Sequence, residues 1–375
     1  VVFVDAYPHV SGGVERGLQL LATGLERRGW TVDIVFPGPG SGADRLREAG
    51  LRVEVIPAPA ALLVYGRAAT RGPRGLAAMA SLPQYWTRLR RRLAGADIVH
   101  AFGQRGFVLA GPAARLARTP VVWHVGGADP GRILNTAAAR AASAVIAVSR
   151  PAAEGLPASV DVVIVPNAVD PAAFDAASSP TPDGFHVVCA ARLTPEKGVD
   201  VLVRAAALLH GDLPDARVLV LGGAQEGHAA YERDLLRLTR ELGVDDAVHF
   251  EGFVDQPYQR WAGARVYVQP SRREGFGLAA AEAMASGLPV VASAVGGLVD
   301  VLDGGVAGVL VPPDDPQALA DAIRSLLDDP PRAQRLAGAG RERSATHYSV
   351  ERMVDGVEAV YRDLLDRQGG TARRV

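Results

Sequence analysis

The sequence predicts an α/β protein made of two doubly wound parallel-sheet domains of Rossmann type, on three observations. Short Val- and Ile-rich runs alternate with stretches of helical periodicity along all 375 residues. That length exceeds one ordinary core and fits two domains of about 150–200 residues each. Near the middle, Ser178-Ser179-Pro180-Thr181-Pro182-Asp183-Gly184 breaks the alternation with a polar, turn-rich linker.

In the first half, residues 1–5, 31–36, 52–56, 97–101, 120–125, 144–148 and 162–166 read as strands. Their nearly unbroken β-branched content is what a parallel sheet covered on both faces requires, because neither face meets water. Between the first two, residues 13–28 place Leu18, Leu21, Ala22 and Leu25 at helical spacing. The second half repeats the grammar, with strands at 186–190, 217–222, 248–251, 266–269, 289–293 and 308–311. Two consecutive βαβ series give domains 1–170 and 171–349. The closing stretch 350–367 is an amphipathic helix carrying Met353, Val357, Val360, Tyr361 and Leu364 on one side, expected to pack back on the first domain.

The chain is 48% hydrophobic and 22% charged, which describes a folded protein and excludes disordered, collagen-like and coiled-coil classes. No run of about 18 uncharged apolar residues appears and no basic-then-apolar leader opens the sequence, so a cytoplasmic protein is expected. The single cysteine, Cys189 in an apolar strand, reads as a core residue. The net charge of −1 hides a basic first half (+7 over residues 1–170) and an acidic second half (−8), so the first half is expected to meet something anionic. Of 40 basic residues 39 are Arg, a drift that suggests a GC-rich bacterial genome, and the only lysine is Lys197. A compact ammonium in place of a planar fork is one reason to keep it.

Three segments carry chemistry. Ser271-Arg272-Arg273-Glu274-Gly275-Phe276-Gly277-Leu278 follows a strand and opens a helix that contains Glu282 and that Gly287 ends. Glycine-rich backbone at a helix start exposes N–H groups to an anion or a sugar hydroxyl. Glu274, before the helix, and Glu282, about two turns inside it, would accept bonds from two parts of one ligand. A surface loop with an exposed Glu is the plain alternative. Ala190-Ala191-Arg192-Leu193-Thr194-Pro195-Glu196-Lys197-Gly198 is again a strand end turning into a helix, where Arg192 and Lys197 would bracket a diphosphate or stand as solvated charges. His9-Val10-Ser11-Gly12-Gly13 sits where a phosphate-facing turn belongs, though an ordinary tight turn explains it equally well.

Taken together and in this order, Gly12-Gly13, Arg192, Lys197, the Glu274/Glu282 pair and Val165-Pro166-Asn167-Ala168-Val169-Asp170 resemble the family 4 retaining glycosyltransferases. The resemblance covers essentially the whole chain, departing only in Ala190-Ala191 before the arginine and Ser11 before the glycine pair. It implies the GT-B fold, two Rossmann-like domains facing across a cleft, and a sugar moved from a nucleoside-diphosphate sugar to a hydroxyl acceptor. By it, Arg192 and Lys197 grip the diphosphate, Gly13 approaches it from the other domain, and Glu282 binds ribose. Glu274 and the backbone of Gly275, Phe276, Gly277 and Leu278 hold the donor sugar and phosphate, and Val254 with its neighbours meets the base. It further implies retention by same-face attack, with a leaving phosphate oxygen taking the acceptor proton. His124, at a strand end where the family often keeps an active-site histidine, and His100, at a similar strand end, are acceptor-side candidates, a structural role being open for both.

No His/Cys cluster stands at zinc-ligand spacing, and Asp314-Asp315 lies between prolines, so no metal or cofactor is expected. Residues 60–95 hold Arg67, Arg71, Arg74, Tyr85-Trp86, Arg88, Arg90, Arg91 and Arg92, a basic, aromatic-tipped segment suited to an anionic membrane surface at the inner face, a soluble acceptor, or plain solvation. Nucleic-acid binding lacks a motif. A nicotinamide oxidoreductase lacks GxGxxG after the first strand. A sugar-nucleotide epimerase or phosphorylase, or a non-catalytic nucleotide-sugar-binding protein, are the remaining alternatives. The oligomeric state is open.

Overall fold

The structure, a computed structural model, describes residues 1–9, 13–58, 72–127, 131–170, 174, 185–224, 228–261 and 263–372. The linker read at residues 178–184 and the glycine turn at 10–12 fall outside them. The chain divides into two compact units, Val1–Asn167 with Val350–Val375, and Ala168–Ser349.

The first unit holds β1 (Val2–Asp5), α1 (Gly13–Arg27), β2 (Asp33–Phe36), α2 (Ser41–Glu48), β3 (Arg52–Val55), α3 (Gly72–Leu93) and β4 (Val99–Phe102). It continues through α4 (Gly103–Ala117), β5 (Val121–Val125), α5 (Arg132–Ala141), β6 (Ala144–Ala147), α6 (Arg150–Ala153) and β7 (Val162–Ile164). All seven strands pair in parallel, in the order β3-β2-β1-β4-β5-β6-β7. β1 and β5 are buried at every position, as their mostly apolar sequences require, with Asp5 and His124 the polar exceptions.

The second unit holds β8 (Phe185–Ala190), α7 (Val199–Asp212), β9 (Arg217–Leu221), α8 (Ala229–Glu241), β10 (Val248–Gly252), β11 (Val266–Gln269) and α9 (Leu278–Ala285). β12 (Val290–Ser293), α10 (Gly297–Val301), β13 (Val309–Val311), α11 (Pro316–Asp328) and α12 (Pro330–His347) complete it. Its sheet is also all parallel, in the order β10-β9-β8-β11-β12-β13. Cys189 lies in this core, where burial pushes its thiol up to about 12 against the opposing charge of Lys197.

The last helix, α13 (Val350–Ala372), belongs to the first unit. Arg28 Nη1 reaches Asp355 at 2.6 Å and Glu358 at 2.9 Å, and the Trp30 indole N–H donates to Glu358 at 2.8 Å. Val357, Tyr361 and Leu364 are buried beneath these bonds. In each sheet the strand order reverses once, between β1 and β4 and between β8 and β11. Loops leaving the carboxyl ends of strands at such a reversal diverge and leave room for a ligand.

Candidate active site

At the β8/β11 reversal two loops run side by side, residues 191–198 after β8 and 270–277 after β11. Glu196 O accepts the backbone N–H groups of Arg272 at 2.8 Å and Arg273 at 3.3 Å. Gly198 has a left-handed φ of 64°, and a Cβ there would stand 2.0 Å from Pro270 O, so only glycine lets the loops close to this distance. That closure brings Lys197 to Glu274, with Nζ donating to Oε2 at 2.6 Å and side chains 14% and 13% exposed. A chain of bonds stands behind the carboxylate. Tyr267 O–H donates to Gln269 at 2.7 Å, Gln269 Nε2 to Ser271 at 3.0 Å, and Ser271 O–H to Glu274 at 3.4 Å. Burial, then Cys189, pushes the Tyr267 phenol far up, so it stays protonated and able to donate.

Arg272 anchors the same loop from outside. It makes two bonds to Asp200 at 2.8 and 2.7 Å and one to Pro195 O at 2.6 Å. Burial pushes Asp200 up, but the bonds from Arg272 and Tyr231 outweigh it and hold the carboxyl below its ordinary range. Arg192 is half-buried at the start of the first loop. Gly275 is half-buried, and Gly277 turns the chain at φ 100° so that α9 begins at Leu278. Glu282 is buried in α9, and with Glu274 it contributes to the upward push on Tyr267. Phe276 points inward, its ring edge-on to Tyr348 at 5.2 Å, so only its backbone is left for a ligand. Beyond β10, Phe253 is 62% exposed and Val254 half-buried.

In the first unit, the β1/β4 reversal carries Asp5, whose carboxyl burial raises to about 7 despite backbone N–H bonds from Tyr7 and Ala6. Gly13 opens α1 and is exposed, while Gly12 lies outside the described residues. His124, next to last in β5, lies beside His100 of β4, with Nδ1 of the former 3.0 Å from Nε2 of the latter. Burial lowers His124 to about 4, and burial with His124 alongside lowers His100 well below the imidazole range. Both rings are therefore neutral near pH 7. Among the described residues, no three His, Cys, Asp or Glu side chains converge as a metal site.

Two family models tile the chain: Glycosyltransferase Family 4 matches residues 11–173, and Glycosyl transferases group 1 matches residues 173–343. The chain belongs to glycosyltransferase family 4. Among curated relatives, it is 42% identical over 197 residues to D-inositol 3-phosphate glycosyltransferase 1 of Catenulispora acidiphila, covering 51% of this chain and 46% of that one. It is 33% identical over 181 residues to the lipopolysaccharide core biosynthesis mannosyltransferase LpsB of Rhizobium meliloti, covering 48% and 52%. The chain thus spans about half the length of the curated relatives it matches. The crystal structure of Anabaena HepE in complex with UDP-glucose has the same fold, at a TM-score of 0.81 and 22% identity over 96% of this chain and 99% of that one. The GT-B class is therefore that of the two parallel sheets described above.

For this family 4 chain, the structure unites Lys197, Glu274 and the 275–278 backbone at one reversal, and sets His124, near the carboxyl end of β5, against His100, the second residue of β4. Three expectations change. Glu282 lies one turn inside its helix, not two, because Gly277 delays the helix start. The strand expected at 162–166 stops at Ile164. The segment expected to be aromatic-tipped is not: Tyr85 is 2% exposed and the Trp86 indole donates inward to Val108 O at 3.1 Å. Arg92 is tied to Asp33 and Glu54 at 2.8 Å each, and Arg88, Arg90 and Arg91 remain exposed. Arg67 and Arg71 lie outside the described residues.

Gln269 and Tyr267 went unread because buried polar side chains inside an apolar strand leave no periodic signal, and Ser271, named as the start of its segment, carried no role of its own. Gly296-Gly297 also went unread, although it follows β12 as Gly222-Gly223 follows β9. A Cβ on Gly296 would stand 1.9 Å from Glu274 O, so this pair closes a third loop onto the site. The repeated strand-then-glycine punctuation is the signal that would have found it.

Proposed function

We propose that this chain is a metal-independent, retaining glycosyltransferase that moves a sugar from a nucleoside-diphosphate sugar to a hydroxyl acceptor. The observation that carries the reading is the half-buried Lys197–Glu274 pair at the β8/β11 reversal, where doubly wound sheets take ligands. Lys197 and Arg192 supply positive charge to the diphosphate, and the backbone N–H groups that start α9 add the helix dipole. Glu274 holds the ammonium in place and accepts from a sugar hydroxyl, Glu282 takes the ribose, and Val254 lies by the base. In the first unit, Gly13 offers the opening N–H groups of α1, and His124 forms the acceptor side with His100 buried behind it.

As the anomeric C–O bond to the diphosphate breaks, negative charge gathers on the phosphate and the sugar becomes oxocarbenium-like. Fixed cations already aimed at that oxygen stabilise it without reorganisation. The acceptor oxygen bonds the anomeric carbon on the face the diphosphate leaves, and a phosphate oxygen takes the acceptor proton. The UDP-glucose complex of HepE makes UDP-sugars the first donors to try, and the D-inositol 3-phosphate relatives make a phosphorylated polyol the first acceptor. The exposed Arg88, Arg90 and Arg91 support a peripheral contact with anionic membrane, read by liposome co-sedimentation at low salt. Among the described residues no helix is long and apolar enough to cross a membrane.

The test is a thermal-shift panel of UDP-, GDP-, ADP- and TDP-sugars, in which the true donor raises the melting point by mass action. Product analysis by NMR with and without EDTA then follows. A retained anomeric configuration and EDTA-insensitive turnover are expected. No shift with any sugar nucleotide would refute the donor site, and an epimer or sugar phosphate as product would move the chain to the alternative chemistries.

A further inference from the structure

His124 is offered above as a substrate-facing residue, and what it offers depends on which ring nitrogen carries its proton. A tyrosine of the last helix decides this. Tyr361, on α13, places its hydroxyl 2.5 Å from His100 Nδ1, and His100 Nε2 lies 3.0 Å from His124 Nδ1. Tyr361 and His100 are fully buried and His124 is 6% exposed. Phe102 lies against both imidazoles, 4.5 Å from His100 at 3° and 5.3 Å from His124 at 21°, so neither ring is free to turn over and put a ring carbon where each nitrogen stands.

In a chain of three such groups the protons all point one way or all point the other. If Tyr361 donates to His100 Nδ1, then His100 donates through Nε2–H to His124 Nδ1, and His124 carries its proton on Nε2. If the chain runs in reverse, the Tyr361 O–H proton needs another acceptor, and among the described residues none lies within hydrogen-bond reach of it. A buried donor without a partner is costly, so the first direction wins.

We infer that Tyr361 is a positioning residue that, through His100, fixes His124 as an Nε2–H donor toward the substrate. The inference rests on the proposed glycosyltransferase reading of His124. It means that the C-terminal helix completes the site chemically, and that the atom His124 meets is an acceptor: a sugar hydroxyl oxygen or a phosphate oxygen. Burial, which keeps both imidazoles neutral, makes the proton's position rather than charge the controlled quantity.

Long-range ¹H–¹⁵N NMR on protein labelled with ¹⁵N-histidine reads the tautomer of each imidazole directly at pH 7. The expected result is a single Nε2–H form for both His100 and His124. Tyr361→Phe should mix the tautomers at His124 and lower kcat about two- to fivefold, with KM for the donor within about twofold. A proton on Nδ1 of His124 in the parent would overturn the inference. So would an unchanged Nε2–H form together with unchanged kcat in Tyr361→Phe. His124→Ala separates the two readings: full turnover in that variant removes the substrate-facing role of His124, whatever tautomer the spectra show.

Discussion

Replacing Lys197 by Met is expected to cost the second unit about 3 kcal/mol. The ammonium and the Glu274 carboxylate are 2.6 Å apart, with 14% and 13% of their side chains exposed. At an effective dielectric of about 20, unit charges about 3 Å apart attract by about 5 kcal/mol. Most of that gross term offsets the desolvation of the two ions, so the intact pair contributes little net stability. Removing one partner is different. Met keeps the volume of the Lys stem but leaves the carboxylate buried, with Ser271 at 3.4 Å as its remaining hydrogen bond among the described residues. Stranding one member of a buried pair costs about 3–5 kcal/mol, and the residual exposure here sets the low end. The assay is denaturant unfolding of Lys197→Met, Glu274→Gln and the double variant. The double variant should regain about 2 kcal/mol relative to the sum of the singles, since both charges are gone. A loss below about 1 kcal/mol in Lys197→Met, or strict additivity, would refute the reasoning. With ordinary stabilities of about 5–15 kcal/mol the variant stays folded at assay temperature, so its expected loss of transfer reports on the site.

Gly198→Ala should cost about 3 kcal/mol or more in a thermal melt, because its Cβ would meet Pro270 O at 2.0 Å from a left-handed backbone; an unchanged melting point would show that the two loops separate freely. Asp5→Asn should stabilise the first unit at pH 8. The Asp5 carboxyl sits at about 7 when folded against 3.8 in the free residue, so its contribution is complete below pH 3.8 and is lost as pH rises through 7. The gain at pH 8 is about 4 kcal/mol and that at pH 4 is near nothing, and equal effects at both pH values would remove the assignment. The acid limb has the opposite sign. His124 falls from 6.5 to about 4 on folding, so its stability is present above pH 6.5 and is lost as pH drops through 4. That limb amounts to about 3 kcal/mol. His124→Gln should make it shallower in pH-resolved unfolding, leaving the share that buried His100 contributes, and an equally steep limb in the variant would assign it to other groups.

Every strand stands within one or two residues of where the sequence puts it, the two-residue slips being the first residues of β2 and β4 and the last of the short β7. A strand buried on both faces must be apolar along its whole length, and that demand is written locally. The glycine-rich loops are legible for a similar reason: a left-handed backbone, or a carbonyl at 2.0 Å, admits only glycine, wherever the partner chain lies. Lys197 is legible because arginine drift spared one position. Where local rules conflict with a turn, the reading slips, as at Gly277, whose φ of 100° shifts the start of α9 and with it the depth of Glu282.

Local sequence therefore carries the class of fold, the strand pattern and the short motifs whose chemistry is contained in a few neighbouring residues. The tertiary structure alone decided which of these motifs meet. Lys197 and Glu274 are 77 positions apart, and His100 and Tyr361 are 261 apart. It also decided that Tyr85 and Trp86 turn inward while Arg88, Arg90 and Arg91 do not. Pairings of this kind depend on how the connections of a sheet reverse and on which helix face finds a neighbour, and no local stretch of sequence encodes either.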